Sequence, residues 1–447
     1  MHTLQNVAHA LPGLYDPALS VKIVEVAKKY DEPEGRPITR IPEYTVPGGP
    51  NSYHCSKIET SWTQGFFPGL LWLLAERAHL LPESIDPSYT ASQIQDLGRR
   101  WQEDFKYLAR PSINHDQGFR FQLSYGRDLE LTGSEEAKRV IIDAAESLVD
   151  RYNPKASDHP SHRIRSQLQM PRTKVGCIRS WDKMVKTENT KQYTLENMDE
   201  HFLVIIDNMM NLDMLYLATD LTGDKRYAEV ATRQAEVSMT SHVRKDYSTY
   251  HVVNFDQTTG QPTEFMTHQG YADESIWSRG QAWGIYGYAQ CALRTGRSDF
   301  IETSRRLADV FLSHLGPSGV PLWDFSAPQP CPYDASAATI AARGMQMLYQ
   351  LLLPTDPQAA EMYLSKGFKL VEDVMRECGT DRATLNGGKV NWGEGGWETL
   401  LKHSTINGNE KATRRLMDHG LVYADYYLIE FGNEALKLQK AAQGVKA

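Results

Sequence analysis

The sequence has few cysteines, and they are not arranged as a disulfide framework or a metal site would require. Only five occur among 447 residues, they lie far apart, and no two form a Cys-x-x-Cys pair. A disulfide-stapled secreted domain usually has an even number of cysteines, and a zinc ribbon needs Cys-x-x-Cys pairs. The chain also lacks an Asn-x-Ser/Thr acceptor for N-glycosylation. Neither a secreted disulfide scaffold nor a zinc-binding module is therefore indicated.

Long apolar runs and an excess of basic charge are also absent. No apolar stretch approaches the roughly 18 residues that a membrane helix needs, and the first residues do not resemble a signal peptide. The net charge is −8, from 56 acidic and 48 basic residues, whereas nucleic acid and anionic membranes call for a basic surface. We therefore expect a cytoplasmic protein that binds neither nucleic acid nor a membrane.

Several catalytic motifs are missing as well. The sequence has no Gly-x-Ser-x-Gly elbow, no P-loop, no strand-associated Gly-x-Gly-x-x-Gly and no His-Glu-x-x-His. Serine-esterase chemistry, nucleotide binding and zinc-peptidase chemistry are thus not indicated. We expect neither a metal ion nor another cofactor.

The distribution of proline predicts a helical protein. Fourteen of the 22 prolines lie at or before Pro171, none lies between Pro171 and Pro262, and none follows Pro357. Proline-free stretches permit long helices, and apolar residues recur within them at steps of three and four. This spacing predicts about a dozen helices, near residues 20–30, 62–80, 90–109, 117–130, 134–151, 196–221, 224–243, 273–294, 299–315, 336–353, 357–377 and 421–440.

A Thr-Gly junction recurs between successive predicted helices. The glycine of each junction suits the left-handed position that ends a helix, and a Ser or Asp soon after it suits the start of the next. The residues concerned are Gly133, Gly223 and Gly296, followed by Ser134, Asp224 and Ser298. The pattern favours helical hairpins in one all-α domain, residues 1–447, closed into a ring, with residues 1–55 as an N-terminal extension packed on it.

One carboxylate lies in an unexpected place. Asp207, in Asp-Asn-Met-Met-Asn, falls inside a strongly apolar predicted helix and shares a face with Asn211. A buried carboxylate is costly unless it is paired or hydrogen-bonded. Asp207 is therefore either a functional acid or part of a polar tether between helices. A second candidate, Asp116, lies in Asn-His-Asp-Gln-Gly-Phe, just after another predicted helix.

A third segment combines an arginine with tryptophan. Ser275, Arg279 and Trp283 fall at i, i+4 and i+8 and would form one stripe on a helix. The forked guanidinium can grip the carboxylate of a sugar acid while the ring stacks on the sugar. The alternative is an exposed arginine that lies on a core tryptophan, which is a common cation–π arrangement.

Together these segments resemble glycoside hydrolase family 88, the unsaturated glucuronyl hydrolases. The motifs extend from about residue 60 to residue 430 and are SWTQGFFPG, NHDQGF, IRSWD, IIDNMMNLDML, HQGYADESIWSRGQAWGIYG, PLWDF, DASAATIAARGM, LLKHST and GLVYADYYLIE. The resemblance implies an (α/α)6 barrel of about twelve helices. It also implies a hydrolase that releases a 4,5-unsaturated glucuronic acid from lyase-generated disaccharides of the glycosaminoglycan type by hydrating the C4=C5 double bond.

The resemblance assigns roles to particular residues. Asp207 matches the catalytic acid and base, and Asp116 matches a second aspartate that holds the substrate. The substrate-binding residues that it implies are Trp62, His115, Trp181, His251, Gln269, Arg279 and Trp283. Arg279 and the histidines would offset the charge of the uronate, and no cofactor is required.

Some features depart from the family pattern or leave alternatives open. Members that prefer sulfated fragments carry Ser-x-x-Ser-x-Lys after the segment matching LLKHST, and the text after Ser404 lacks it, so sulfate preference stays open. The stretch 152–172 matches none of the motifs. Rival functions are an unsaturated rhamnogalacturonyl hydrolase acting on pectin fragments and an N-acyl-sugar epimerase. A helical binding scaffold is disfavoured by Asp116, Asp207 and Arg279.

Overall fold

The computed structural model describes residues 4–153, 175–188, 191–198, 200–412 and 414–444. Most of the unexplained stretch 152–172 lies outside these ranges. The main helices in the described ranges are α1 Pro17–Lys29, α2 Phe66–Leu80, α3 Ala91–Glu103, α4 Gly118–Gly126 continued by Arg127–Thr132, α5 Glu135–Val149, α6 Leu212–Thr222, α7 Arg226–Ser241, α8 Ser278–Thr295, α9 Ser298–Ser313, α10 Ala335–Leu352, α11 Pro357–Cys378 and α12 Val422–Ala442. The first part of α4 is wound as a π-helix.

These helices form two concentric rings. Helices α2, α4, α6, α8, α10 and α12 each pack against the next, and α12 closes the inner ring against α2. Helices α1, α3, α5, α7, α9 and α11 lie outside them. The side chains of α10 are buried almost throughout. In α3, only the residues on one face of the helix are buried. A helix that is buried on all sides suits the inside of a barrel, and an amphipathic helix suits its outer layer.

The recurring Thr-Gly junctions connect these helices largely as the sequence predicts. Gly133, Gly223 and Gly296 all adopt the left-handed conformation, with φ of 71°, 76° and 68°. Ser134 accepts a hydrogen bond from the backbone of Ala137 and caps α5. The N-cap predictions for the other two junctions are wrong. Helix α9 begins at Ser298 itself and no side chain caps it. The N-cap of α7 is Lys225, although Oδ1 of Asp224 accepts a hydrogen bond from the backbone N–H of Arg226 at 2.9 Å.

The predicted helix 196–221 is wrong over its first half. Strand β7, Phe202–Ile205, is followed by a 3-10 helix, Ile206–Asn211, and only then by α6. Every residue of β7 is buried. A short, continuous apolar run has the same hydrophobic pattern in a buried strand as in a buried helix, so periodicity could not separate them.

Short strands lie between the helices. The further strands are β1 Arg40–Thr45, β2 Tyr53–Lys57, β3 Tyr152–Asn153, β4 Cys177–Ile178, β5 Met184–Glu188, β6 Lys191–Leu195, β8 Val252–Phe255, β9 Pro262–Met266, β10 Thr384–Asn386 and β11 Lys389–Asn391. Strands β7, β8 and β9 form one antiparallel sheet in which Ile205 pairs with Val252. This pairing brings the residues just after β7 next to those just before β8.

Two other helices begin later in the structure than the sequence predicts. Helix α8 begins at Ser278, so Ser275 belongs to the preceding loop and the predicted three-residue stripe is not formed. Helix α2 begins at Phe66, so Trp62 lies in the loop before it. Among the residues described, no helix is both long and apolar enough to cross a bilayer.

Candidate active site

Asp207 lies at one end of the barrel, immediately after β7. Its 3-10 helix packs against α8, where Gly287 permits the contact: a Cβ at this position would lie 2.4 Å from Cβ of Met209. The backbone N–H of Ile206 donates to the carbonyl of His251 at 3.0 Å. The close approach to α8 and the pairing of β7 with β8 therefore hold Asp207 in position.

His251 presents one ring nitrogen to Asp207. Its Nδ1 accepts hydrogen bonds from the backbone N–H groups of His268, at 3.1 Å, and Gln269, at 3.4 Å. Burial lowers the pKa of His251 well below its usual value, and the positive charges around it act in the same direction. The ring is therefore neutral with its proton on Nε2, and this nitrogen lies 3.8 Å from Oδ2 of Asp207.

The carboxyl of Asp207 is held near its midpoint of titration at neutral pH. Burial raises the pKa of Asp207 to about 7. The charge of Arg279 lowers this pKa, the charge of Asp116 raises it, and the indole N–H of Trp283 lowers it. A buried carboxyl with such a pKa can donate a proton and afterwards accept one.

The sequence left open whether Asp207 is part of a polar tether between helices. In the structure, Asn211 forms such a tether. Its side-chain oxygen accepts hydrogen bonds from the backbone N–H groups of Gly118, at 2.8 Å, and Phe119, at 3.2 Å. It therefore joins the 3-10 helix to the start of α4. This bond leaves the carboxyl of Asp207 available for chemistry.

Asp116 and His115 lie just before α4. Nε2 of His115 lies 3.2 Å from Oδ1 of Asp116, and the backbone N–H of His115 donates to the carbonyl of Ser180 at 3.2 Å. Burial lowers the pKa of His115. His115 and His251 are therefore both neutral at neutral pH, which leaves Arg279 as the positive charge among the residues expected to offset a uronate.

Three of the predicted tryptophans line the same region. The ring of Trp181 lies 6.0 Å from that of His251 and 5.4 Å from that of His268. The rings of Trp62 and Trp283 each lie 5.1 Å from that of Phe119. Trp283 is fully buried, whereas Trp62 and Trp181 keep part of their surface open.

The guanidinium of Arg279 donates its hydrogen bonds to other groups of the protein and does not face an open cavity. One terminal nitrogen donates to Oδ2 of Asp334 at 2.5 Å and to the carbonyl of Thr405 at 2.6 Å. The other donates to Oε1 of Gln269 at 2.7 Å and to the carbonyl of Ile406 at 2.6 Å. Only Nε–H remains for another acceptor. The bidentate grip on a sugar carboxylate that the sequence predicted is therefore not available in this arrangement.

The arginine also does not lie on Trp283. Its guanidinium is 4.7 Å from the ring of Trp277 and 5.4 Å from that of Tyr423, and it is only 1% exposed. The alternative is right that the arginine lies on a core tryptophan, which is Trp277, and wrong that the arginine is exposed.

Several residues of this region were not singled out from the sequence. Tyr423 lies at the start of α12, and the buried hydroxyl group has no hydrogen-bond partner in the described chain. Asn208 is fully buried beside His115. Asp334 is the N-cap of α10 and binds Arg279. Each lies inside a quoted motif, but its sequence neighbours predict only a buried helix or a helix cap.

Seven buried polar atoms of Asp207 and the residues of this region have no hydrogen-bond partner among the described residues, and other such atoms lie elsewhere in the barrel. The seven are Nδ1 and Nε2 of His115, Oδ2 of Asp207, Oδ1 of Asn208, Nε2 of His251, Nε1 of Trp283 and the hydroxyl of Tyr423. Buried polar groups in folded proteins nearly always have a partner, so such a group of unpaired atoms indicates a site for a polar ligand. No three His, Cys, Asp or Glu side chains in the described part of the chain are grouped as a metal site requires.

The arrangement has counterparts among known proteins, although no protein-family model matches the chain. The unsaturated glucuronyl hydrolase of Formosa agariphila is 33% identical over 374 residues, covering 83% of this chain and 78% of that protein. The crystal structure of an unsaturated glucuronyl hydrolase specific for heparin superposes with a TM-score of 0.73 and 26% identity, covering 98% of this chain and 100% of that chain. The enzyme of Bacillus sp. GL1, responsible for the degradation of glycosaminoglycan, gives 0.72 and 27%, covering 96% of each chain.

These similarities extend over most of the chain and include its fold. The solved relatives have an (α/α)6 barrel, which is the double ring of helices found here, so the predicted fold is confirmed. The resemblance inferred from the motifs is confirmed by the sequence relative. The chain belongs to the unsaturated glucuronyl hydrolases of glycoside hydrolase family 88.

Proposed function

We propose that this enzyme removes a 4,5-unsaturated glucuronic acid from the non-reducing end of glycosaminoglycan fragments by hydrating the C4=C5 double bond. One observation carries the proposal: the carboxyl of Asp207 is buried with its Oδ2 unpaired among the described residues, and this burial raises its pKa to about 7. The double bond belongs to an enol ether, which reacts by protonation at carbon. That step needs an acid that still holds its proton near neutral pH.

The reaction follows from this protonation state. Asp207 donates its proton to C4, and the electron pair of the double bond forms the new C4–H bond. Positive charge then develops at C5, where the ring oxygen stabilises it. The Asp207 carboxylate next removes a proton from a water molecule, and the water oxygen bonds to C5. The resulting hemiketal opens, and the remaining sugar leaves with its oxygen.

Nearby residues support these steps in different ways. Nε2–H of His251 is directed towards Asp207 and stabilises the carboxylate form during attack by water. Asp116, with its oxygen 3.2 Å from Nε2 of His115, is placed to accept a hydrogen bond from a sugar hydroxyl. The open faces of Trp62 and Trp181 suit the apolar face of a sugar ring.

The other residues of the predicted site mainly contact and position neighbouring side chains. The side chain of Gln269 binds Arg279 at 2.7 Å, and its backbone binds His251. Trp283 is fully buried beside Asp207 and acts on the acid. Arg279 contributes positive charge close to the acid and only one free N–H to a ligand. The site needs no metal ion or cofactor for this reaction.

The substrate class is supported by the named relatives, one of them specific for heparin and one responsible for the degradation of glycosaminoglycan. The missing Ser-x-x-Ser-x-Lys cluster after Ser404 favours unsulfated fragments. We also infer that residues 1–447 form a single catalytic domain and that it acts in the cytoplasm. The acidic net charge of −8 supports an oligosaccharide rather than nucleic acid as its partner.

A panel of lyase-generated disaccharides tests the substrate. Unsulfated and sulfated glycosaminoglycan disaccharides and a pectin-derived unsaturated disaccharide would be compared by the loss of their ultraviolet absorbance. We expect the highest kcat/KM with the unsulfated glycosaminoglycan disaccharides. Preference for the pectin-derived compound would instead identify a rhamnogalacturonyl hydrolase, and absence of turnover with all of them would refute the proposal.

Isotope labelling tests the chemistry. In ¹⁸O-labelled water, the label should enter at C5, whereas ordinary glycosidases direct water or a carboxylate to the anomeric carbon. A saturated glucuronide, which lacks the enol ether, should not be cleaved at a useful rate. Label delivered to C1, or equal turnover of the saturated compound, would exclude hydration.

A further inference from the structure

A buried carboxylate outside the sugar-binding surface is connected by a series of hydrogen bonds to His251, whose Nε2 lies 3.8 Å from Oδ2 of the proposed catalytic acid. Asp334 is 0% exposed and precedes α10. Its Oδ1 accepts from the backbone and hydroxyl of Ser336, at 3.1 and 2.5 Å, and its Oδ2 accepts from Arg279 at 2.5 Å. Because its acceptors are occupied and its surface is closed, Asp334 cannot contact a substrate.

Arg279, which is bound to Asp334, also forms hydrogen bonds with two loops. Its bonds to the carbonyls of Thr405 and Ile406 hold one loop, and its bond to the side chain of Gln269 holds the other. The two loops are also joined directly, because the amide of Asn407 donates to the carbonyl of His268 at 3.1 Å. They therefore form one wall of the site.

This wall determines the state of His251. The two N–H groups that bind Nδ1 of His251 belong to His268 and Gln269, in the loop that Arg279 holds. Without these donors, neutral imidazole is free to place its proton on either nitrogen. With them, the proton stays on Nε2, which faces Asp207 at 3.8 Å.

We propose that Asp334 is a positioning residue of the catalytic centre, because it holds Arg279 and the Gln269 loop so that His251 directs Nε2–H towards Asp207. This inference rests on the proposed function in its kinetic test, which measures turnover, and not in its spectroscopic test. The alternative is that Asp334 serves solely to cap α10. An asparagine caps a helix about as well as an aspartate, so Asp334→Asn keeps the cap and removes only the charged partner of Arg279.

The test compares Asp334→Asn with a matched variant, Asp356→Asn. Asp356 caps α11 through the backbone N–H of Ala359 at 3.1 Å. We expect Asp334→Asn to lower kcat by about 10- to 100-fold with a smaller change in KM, the scale of a small misplacement in an active site. Asp356→Asn should leave both constants unchanged. Equal kinetics in the two variants would overturn the proposal.

A spectroscopic measurement keeps the result independent of activity. Protein labelled with ¹⁵N-histidine reports which nitrogen of each neutral ring carries the proton, and a His251→Gln variant assigns the signal. We expect a single Nε2–H tautomer of His251 in the unaltered protein and in Asp356→Asn, and a mixture in Asp334→Asn. An unchanged His251 signal in Asp334→Asn would overturn the proposal, even if the disaccharide panel had refuted the proposed function.

A second variant covers the case in which Asp334→Asn does not fold. Asn407→Ala removes the amide that binds the carbonyl of His268 and loosens the same loop from its other side. We expect a tautomer mixture of His251 in this variant too, with a smaller loss of kcat. A His251 signal identical to that of the unaltered protein would contradict the proposed coupling.

Discussion

Nε2 of His251 lies 3.8 Å from Oδ2 of Asp207, and the opposite nitrogen of the same ring is held by two backbone N–H groups. The histidine therefore faces the carboxyl as a neutral donor and not as a cation. A neutral neighbour leaves the acid protonated near pH 7, whereas an imidazolium would lower its pKa and ionise it. The relationship supports the proposed role of Asp207, in which one carboxyl acts first as an acid and then as a base.

Replacing Asp207 tests the proposed acid directly. Asp207→Asn has nearly the same shape but no proton to give, so we expect kcat to fall by at least about 100-fold, the usual scale for general acid–base catalysis. Steady-state kinetics on an unsaturated disaccharide measures this, with circular dichroism to verify folding. Near-normal turnover of a folded Asp207→Asn enzyme would contradict the assignment.

The same substitution should change the pH dependence of stability. The pKa of Asp207 is raised in the folded state, so its ionisation favours unfolding. The stability that this one group contributes is fully present below about pH 4 and is lost as the pH rises through about 7. Three pKa units correspond to about 4 kcal/mol. We expect Asp207→Asn to gain in unfolding free energy over the unaltered protein across this interval, as measured by urea denaturation. A constant difference from pH 4 to pH 8 would show that the carboxyl is not perturbed.

Trp283 provides a finer test of the acidity of Asp207. Its indole N–H lowers the pKa of this carboxyl, so Trp283→Phe should raise that pKa and move the basic limb of the pH profile of kcat/KM to higher pH. The matched control is Trp101→Phe, since Trp101 is also buried and its Nε1 also lacks a partner in the described residues. We expect both variants to be less stable but only the first to shift the profile. A shift of equal size in Trp101→Phe would remove the specific role of Trp283.

Arg279→Lys distinguishes a structural role from a sugar clamp. A lysine keeps the charge but cannot reproduce four hydrogen bonds to three loops, so we expect a loss of about 1–3 kcal/mol in unfolding free energy together with a fall in kcat. A control is Arg77→Lys: Arg77 binds Asn433 and the carbonyls of Leu14 and Ile429 and is equally buried. It should lose stability without losing kcat. A rise in KM alone, with stability unchanged, would restore Arg279 as a clamp.

Much of the fold could be predicted because it depends on local patterns. Periodic apolar residues and the Thr-Gly junctions indicated most of the helices and their turns, since helix faces and left-handed glycines are properties of a few adjacent residues. The strand β7 was missed for the same reason. Its buried apolar run does not differ locally from a helix, and only its pairing with β8 makes it a strand.

The sequence by itself determined the class of protein and most of the helical pairs, and it pointed to Asp207 as the proposed acid, because Asp207 is a carboxylate in an apolar segment within a specific set of motifs. Tertiary structure alone decided what the other groups do. His251 and Asp207 meet through a strand pairing across 44 positions, and their protonation depends on burial and on N–H groups from a third segment. Arg279 has the forked N–H donors of a carboxylate clamp, yet Asp334 and two backbone carbonyls occupy those donors. Such roles follow from distances and competing acceptors, which exist only once the chain has folded.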